Sequence, residues 1–233
     1  MTANISRIAA IFDVDGVIVA GDSLERAFFS FLWRRGELRW LDLLRLSGGA
    51  LRAIVAGRPP IKGNKAYLRG KDAVRIRRLA RECFEEEIAR RLLPQAINRL
   101  RWHQESGHFV ILLSGTLDLL LEPLAEHLGV CARIGTELEV EGRRLTGRIA
   151  SLHPFGETKA ECLSVISRIG KFDLKRSFAY GDHYADRFLL AAVGHPVATN
   201  PDPRLRKIAE SRGWMTEDFV GNDEQELKAG VYV

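Results

Sequence analysis

The stretch "RIAAIFDVDGV", residues 7–17, sets five apolar residues directly before two aspartates that are two positions apart. A short apolar run closed by glycine is typical of a buried parallel strand that is covered on both faces. Because residues two apart on a strand share a face, Asp13 and Asp15 are expected to converge at the carboxyl end of this strand. Two carboxylates this close repel each other unless a cation or a shared proton relieves the repulsion. The stretch therefore predicts a buried strand that ends at a charged site.

Composition and charge limit what kind of protein this is. The chain has 233 residues, of which 46% are hydrophobic and 28% charged, as in ordinary globular proteins. Its three cysteines are widely spaced and odd in number, which predicts reduced thiols and no disulfide framework. The N-terminus passes directly into the first strand without room for a signal peptide, and charges interrupt the apolar stretch at 38–57. We therefore expect a cytoplasmic protein.

Strands and helices alternate along most of the chain. Strand patterns cover 108–113, 177–181 and 195–200, and helical patterns separate them. The helical pattern at 117–128 is expected to break near Pro123. Alternating apolar and polar residues around Glu141-Gly142 predict a β-hairpin beside the main sheet. The order predicts an α/β fold with a doubly wound parallel sheet.

Residues 22–100 break the alternation. Their apolar residues recur at helical spacing and no strand pattern is convincing, which predicts an all-helical cap domain inserted into a core of residues 1–21 and 101–233. Residues 22–107 hold 19 Lys and Arg against 10 Asp and Glu, although the whole chain is only +5. This basic excess is suited to an anionic small molecule, an anionic membrane surface or nucleic acid.

Each predicted core strand is followed by groups that can do chemistry. The ligand crevice of a doubly wound sheet lies outside the carboxyl ends of its strands, so these groups are expected to meet there. Carboxylates together with a lysine and a hydroxyl suit a hard cation such as Mg²⁺ bound with a phosphate. The residues are Asp13 and Asp15 after the first strand, Ser114, Gly115 and Thr116 after the second, Asp182 and Asp186 after the third, and Lys159 at the start of a helix.

The segments "DVDGV", "LLSGT", "GETKA" and "GDHYAD" resemble, in order and spacing, the four motifs of the haloacid dehalogenase superfamily. The resemblance is closest to the phosphoserine phosphatase-like branch, which carries a helical cap between its first and second motifs. It implies a Mg²⁺-dependent phosphatase that hydrolyses a small-molecule phosphate monoester through an aspartyl-phosphate intermediate. In this reading Asp13 is the nucleophile and Asp15 the general acid and base, while Ser114, Gly115 and Lys159 bind the phosphoryl oxygens.

The resemblance also implies a metal site and a substrate side. Mg²⁺ would be held by Asp13, the backbone carbonyl of Asp15, and Asp182, with Asp186 as a ligand or an orienting residue. Asp22 stands where the branch places a substrate-binding glutamate. Together with basic cap residues it predicts an amino- or carboxyl-bearing phosphate ester as substrate. The basic cap residues assigned to substrate binding are Arg58, Lys65 and Arg69.

The chain departs from the branch at three positions. Val17 replaces a threonine of the first motif, His183 replaces the serine of "GDS", and Ala185 replaces an asparagine. His183 contacts the substrate, tunes the residues around the metal, or only fills space. The change at Ala185 argues against phosphoserine itself as the substrate.

Two alternatives to the phosphatase stay open. A phosphotransferase would differ only in passing the phosphoryl group to an alcohol other than water. A docking module would use the aromatic and basic cap residues around Arg34, Arg35 and Arg39 on an anionic membrane or lipid phosphate, with nucleic acid the least expected partner. The same aromatic residues could instead form the core of the cap or a homodimer interface, and the choice between monomer and homodimer stays open.

Overall fold

The computed structural model describes residues 7–40, 42 and 65–219. The strands are β1 (Ala9–Phe12), β2 (Phe109–Leu117), β3 (Ala132–Thr136), β4 (Leu138–Glu141), β5 (Arg144–Ile149), β6 (Phe178–Gly181), β7 (His195–Thr199) and β8 (Met215–Glu217). The α-helices in the described part are α1 (Leu24–Arg34), α2 (Ala73–Cys83), α3 (Pro94–Glu105), α4 (Asp118–Leu128), α5 (Glu157–Gly170), α6 (Arg187–Ala191) and α7 (Pro203–Arg212).

Six strands form one parallel sheet in the order β3-β2-β1-β6-β7-β8. β4 and β5 form a separate antiparallel hairpin. The predicted doubly wound α/β fold with a hairpin is confirmed. The strands β3 and β8 were not predicted, because they are short and have no apolar run of their own.

The apolar residues of the strands alternate between two cores. Ala10 and Phe12 of β1 belong to one buried cluster, together with residues of α1, α2, α3 and α4. Ala9 and Ile11 belong to a second cluster on the other face, which α5, α6 and α7 cover. Burial on both faces explains why β1 is apolar at every position, since successive side chains point to opposite sides of the sheet.

The central strand β1 lies where the direction of the winding changes. Phe12, its last residue, pairs with Leu112 of β2 on one side and with Tyr180 of β6 on the other. The residues that follow Phe12 and Tyr180 therefore leave the sheet side by side, next to the end of β2. This is the carboxyl edge at which doubly wound sheets bind their ligands.

The hairpin is joined to the residues before α2 by backbone hydrogen bonds. Gly70 N–H donates to the Leu145 carbonyl at 2.8 Å, and Leu145 N–H donates to the Lys71 carbonyl at 2.9 Å. At Gly147, which has φ of +81°, an added Cβ would lie 3.3 Å from the Lys65 carbonyl oxygen. Gly147 therefore lets β5 approach Lys65 closely, which no residue with a side chain could do without a shift.

The end of the predicted cap falls within a helix. α3 runs across residue 100 without interruption, and its buried residues Ala96 and Leu100 join the core under β1 and β2. The division into a cap at 22–100 and a core therefore stays a prediction. The packing of α3 groups this helix with the core and not with the cap. The predicted break at Pro123 is wrong, because α4 continues through Pro123 to Leu128. Burial of Leu120, Leu121 and Leu124 offsets the one backbone hydrogen bond that proline cannot make.

A buried histidine of α3 supports β1 and β6 beneath their carboxyl ends. His103 is fully buried, and its Nε2 lies 2.8 Å from the Tyr180 hydroxyl while its Nδ1 lies 2.8 Å from His108 Nδ1. The Tyr180 ring stacks on Phe12 with centroids 4.3 Å apart. Burial, reinforced by His108 and Arg99, lowers the pKa of His103 to about 3. His103 therefore stays neutral in the folded protein at mildly acidic pH.

This neutral histidine makes stability depend on pH. An unfolded histidine binds its proton near a pKa of about 6.5, so below that pH the unfolded state holds one proton more than the folded state. We expect the free energy of unfolding to fall as the pH drops below about 6.5. His103→Gln keeps a hydrogen-bonding amide without a titrating group, and it should lose about 2 kcal/mol less than the wild type between about pH 7 and about pH 5. Urea unfolding at both pH values measures the difference; equal losses in the two proteins would contradict the assignment.

Candidate active site

The two aspartates after β1 make different contacts. Asp13 Oδ2 lies 2.6 Å from Lys159 Nζ, and Asp13 Oδ1 accepts a hydrogen bond from Val14 N–H at 2.7 Å. Asp15 Oδ1 accepts from Leu24 N–H, the first amide of α1, at 2.8 Å. Asp15 Oδ2 accepts from the Thr116 hydroxyl at 2.9 Å. Asp13 therefore faces a buried lysine, whereas Asp15 is held between α1 and the end of β2.

Three carboxylates gather around Lys159. Ligand atoms of Asp13, Asp182 and Asp186 all lie within 4.8 Å of one another. Asp186 Oδ1 lies 2.6 Å from Lys159 Nζ, while its Oδ2 accepts a hydrogen bond from His183 N–H at 3.1 Å. Lys159 and Asp186 are almost completely buried. The group combines three carboxyl groups and one ammonium group, and of the four side chains only that of Asp182 is half-buried rather than buried.

The pKa values of two of the clustered carboxyl groups are raised, as expected where burial and closely spaced negative charges act together. Burial, reinforced by the neighbouring Asp13 and Asp186, raises the pKa of Asp182 to about 8. Burial also raises the pKa of Asp13, against the lowering effect of Lys159. Burial alone would lower the pKa of Lys159, but the charges of Asp13 and Asp186 raise it above its usual value. Oxygen ligands in this number suit Mg²⁺, which would relieve the carboxylate repulsion.

Asp15 differs from this cluster in its surroundings. Burial raises the pKa of Asp15, and the hydrogen bonds from Leu24 and Thr116 oppose that rise. Its side chain is not part of the cluster formed by Asp13, Asp182 and Asp186, and the contact of its backbone carbonyl with a metal stays a prediction. A carboxyl group held in this way, with a raised pKa, is suited to giving and taking a proton.

The segment Ser114–Gly115–Thr116 belongs to β2 itself, whereas a position after the strand was predicted. Thr116 N–H donates to Ser114 Oγ at 3.3 Å, and the Gly115 carbonyl accepts from the Thr136 hydroxyl at 2.7 Å. The strand continues because Leu117 still pairs with Thr136 of β3 after a register shift. The segment that was expected to bind phosphate is thus anchored on both sides.

These residues line one cleft of about 420 Å³. On its α1 side, Lys65 is buried and its Nζ lies 2.5 Å from Glu25 Oε2. Glu25 Oε1 is buried and has no hydrogen-bond partner in the described part of the chain. On the opposite side the rings of His153, Phe155 and His183 lie in sequence, with centroids 6.2 and 6.3 Å apart. The remaining lining residues are Asp13, Asp15, Ser23, Arg26, Ser114, Gly115, Thr116, Lys159, Asp182, Ala185 and Asp186.

A family model described as haloacid dehalogenase-like hydrolase matches residues 10–191. The chain belongs to the haloacid dehalogenase-like hydrolase family. Its membership makes the protein an enzyme of the hydrolase class, and the motif resemblance on which the sequence prediction rested is confirmed.

Relatives of known sequence or structure agree with this family. Phosphoserine phosphatase SerB1 of Mycobacterium tuberculosis is 31% identical over 220 residues, which are 91% of this chain and 70% of that protein. Histidinol-phosphatase of Neisseria meningitidis is 27% identical and covers 90% of this chain and 98% of its own. A solved structure of a Bordetella pertussis protein of unknown function is 28% identical with a TM-score of 0.78, covering 91% of this chain and 99% of that one. The predicted likeness to the phosphoserine phosphatase-like branch of the family is confirmed.

The family resemblance predicted the core residues of the cleft better than those on the α1 side. Asp13, Asp15, Ser114, Gly115, Lys159, Asp182, His183 and Asp186 all line the cleft, and so does Lys65. Asp22 does not line it; its exposed carboxylate pairs with Arg26 at 2.6 Å, because the chain turns into α1 only at Ser23. Arg69 lies at a separate pocket beside the hairpin. Arg58 lies outside the described residues.

Some cleft residues were missed. Glu25 follows the Ser23 cap of α1, and its position had no signal beyond ordinary helical periodicity. His153 and Phe155 stand directly before the "GETK" motif, so their closeness to Lys159 along the chain was a usable signal. His183 has a structural role as well, because its Nδ1 accepts a hydrogen bond from Ala185 N–H at 3.0 Å and begins the turn that carries Asp186.

The predicted docking surface is partly occupied by ion pairs within the chain. Arg34 pairs with Glu87 and Arg35 with Glu86, while Phe28, Phe31 and Leu32 are buried in the core. Trp33 and Trp40 remain exposed. Among the residues the structure describes, no helix is long and apolar enough to cross a membrane. Contact with a membrane stays a prediction. Of the three arginines predicted to make it, Arg34 and Arg35 already form ion pairs within the chain.

Gly16 provides a test of how closely the motif residues pack. Its φ is +78°, and an added Cβ would lie 2.1 Å from Asp182 Oδ2. Gly142 has φ of +60° and nothing within 4 Å of an added Cβ. We expect Gly16→Ala to abolish activity and to destabilise the protein by about 2 kcal/mol more than Gly142→Ala, because only Gly16→Ala displaces a carboxylate as well as straining the backbone. Thermal unfolding of both variants measures the difference, and similar effects would argue against the close approach of Asp182.

Proposed function

We propose that this protein is a Mg²⁺-dependent phosphatase that hydrolyses a small-molecule phosphate monoester through an aspartyl-phosphate on Asp13. One observation carries the proposal: the cluster of Asp13, half-buried Asp182 and Asp186 around buried Lys159, beside a separately held Asp15, at the carboxyl edge of the sheet. The arrangement supplies a nucleophile, a proton donor and compensation for negative charge within one cleft.

The two aspartates divide the chemistry between them. A carboxylate oxygen of Asp13 forms a bond to phosphorus as the bond from phosphorus to the alcohol oxygen breaks, and Asp15 gives its proton to that oxygen. A water molecule then attacks phosphorus and gives a proton to Asp15. The bond from phosphorus to the Asp13 oxygen breaks in this step, so that the Asp13 carboxylate is restored and inorganic phosphate is released. The contacts of Asp15 to Leu24 and Thr116 keep it apart from Lys159, which pairs with Asp13.

The remaining residues balance charge on the transferring group. Lys159 Nζ, the Ser114 hydroxyl and Gly115 N–H would bind the phosphoryl oxygens, and charge compensation is the main work of phosphoryl transfer. Asp13, Asp182 and the Asp15 carbonyl would hold Mg²⁺, with Asp186 as a ligand or an orienting residue. When bound, the ion would neutralise the carboxylates and polarise the phosphoryl group.

Substitution of the nucleophile tests the proposal directly. We expect Asp13→Asn to lower turnover by at least about a thousandfold, because an amide cannot form the aspartyl-phosphate. The measurement is phosphate release with Mg²⁺ across sugar, amino-acid, nucleotide, polyol and lipid phosphates. Added alcohols show whether the phosphoryl group passes to an acceptor other than water, as in a phosphotransferase.

Asp218→Asn is the matched control, because Asp218 is exposed and its carboxylate lies 3.6 Å from the Arg206 guanidinium, away from the cleft residues. It should retain wild-type turnover. Wild-type turnover in Asp13→Asn, or the absence of phosphate release from every ester in the panel, would refute the proposed function.

The α1 side of the cleft favours an ester that carries an amine. Glu25 Oε2 is paired with Lys65, but Glu25 Oε1 is buried and finds no hydrogen-bond partner among the described residues, and a buried acceptor left unpaired costs about 1–3 kcal/mol. A protonated amine of the substrate would supply the missing donor. Phosphoserine and histidinol phosphate, named in two relatives, both carry a primary amine. These observations support an amino-alcohol phosphate as the substrate class.

A pair of esters tests the role of Glu25. For 2-aminoethyl phosphate, Glu25→Gln should raise KM by about 10-fold or more, because it removes a charge-assisted hydrogen bond. For propyl phosphate, which lacks the amine, kcat/KM should change by less than about twofold. Glu105→Gln on exposed α3 surface is the control. Equal effects on both esters would mean that Glu25 does not bind an amine.

A further inference from the structure

A histidine outside the four motifs lies against the segment that is proposed to bind phosphate. His153 follows the hairpin and lines the cleft beside Gly115. Its Nδ1 lies 2.7 Å from the Thr136 hydroxyl oxygen, and that hydroxyl lies 2.7 Å from the Gly115 carbonyl oxygen. The three residues form a short chain of hydrogen bonds from the end of the hairpin, through β3, to the end of β2.

The direction of these hydrogen bonds follows from the groups involved. A carbonyl oxygen can only accept, so the Thr136 hydroxyl uses its single hydrogen on Gly115. The same hydroxyl must then accept from His153, which requires a proton on Nδ1. The geometry therefore assigns the Nδ1–H form to His153.

The imidazole also fills the space next to Gly115. A Cβ added to Gly115 would lie 3.1 Å from His153 Cε1 and 3.6 Å from His153 Nε2. The ring thus covers Gly115 on the side where any other residue would place its side chain. Thr136 is almost completely buried, so water has little access to replace a lost hydrogen bond at this point.

The Gly115 segment carries several proposed functions at once. Ser114 and Gly115 supply phosphate-binding groups, and the Thr116 hydroxyl holds Asp15 at 2.9 Å. We propose that His153 is a positioning residue, which acts through Thr136 to fix the Gly115 carbonyl and thereby the placement of Ser114, Gly115 and Thr116 for phosphoryl transfer. This inference rests on the proposed phosphatase function.

Three replacements of His153 distinguish the effect of its hydrogen bond to Thr136 from the effect of the space that its ring fills. Asparagine places an amide N–H at the position of Nδ1, whereas glutamine extends one bond further and alanine has no donor. We expect His153→Ala and His153→Gln to lower kcat by about 10- to 100-fold with KM changed by less than about threefold, because a misplaced phosphate-binding group acts mainly on the transition state. His153→Asn should recover most of the wild-type kcat.

Substitutions of Thr136 give a second, independent test of the same chain of hydrogen bonds. Thr136→Val should lower kcat as His153→Ala does, while Thr136→Ser should retain it. If both residues act through one chain, the double variant His153→Ala, Thr136→Val should be little worse than either single variant. Nitrogen-15 NMR should show a protonated His153 Nδ1 in the wild type, and this Nδ1–H signal should be lost in Thr136→Val.

His195→Ala is the matched control, since His195 is exposed and begins β7 at the opposite end of the sheet from the cleft. Thermal unfolding of each variant should confirm that it is folded. A wild type that releases no phosphate would remove the proposed function, and this inference with it. If the wild type is active and the His153 variants have the same kcat as His195→Ala, the inference about His153 is overturned while the proposed phosphatase function stands. Full additivity of the two substitutions, or a higher KM with unchanged kcat, would also overturn it.

Discussion

Repulsion between closely spaced carboxylates at the carboxyl edge of the sheet is the constraint around which the rest of this protein is arranged. Asp13, Asp182 and Asp186 approach within 4.8 Å, and among the described residues Lys159 meets two of them at 2.6 Å. One lysine does not offset the repulsion among three carboxyl groups, and a bound cation would relieve it. The packing serves this cluster: Gly16 has no side chain where Asp182 lies, and His183 begins the turn that carries Asp186.

The part of the site that depends on the sheet could be predicted from the sequence. An apolar run buried on both faces predicts a central parallel strand. Asp13 and Asp15 directly follow that strand, so they had to lie at the carboxyl edge of the sheet. The α1 side depends instead on the residue at which a helix begins. Because α1 starts at Leu24 after the Ser23 cap, Glu25 lines the cleft while Asp22 pairs with Arg26 at the surface. A resemblance between motifs does not determine that position.

Elements with weak local signals were the ones that sequence reasoning missed or misplaced. β3 and β8 are strands because parallel neighbours accept their backbone hydrogen bonds, which a sequence pattern does not show. α4 continues through Pro123 because its leucines are buried in the core. In each case contacts with distant residues outweighed the local preference of the chain.

The hairpin connects the two halves of the cleft without supplying any of the reacting groups. Gly147 allows β5 to approach the backbone of Lys65, whose side chain pairs with Glu25 on the α1 side. On the other side, His153 follows the hairpin and contacts Thr136 beside the segment Ser114–Gly115–Thr116. The carboxylate cluster is instead held by β1, β6 and α5. Residues on the α1 side can therefore change while the carboxylates of the cluster keep their positions, because separate elements hold the two sets.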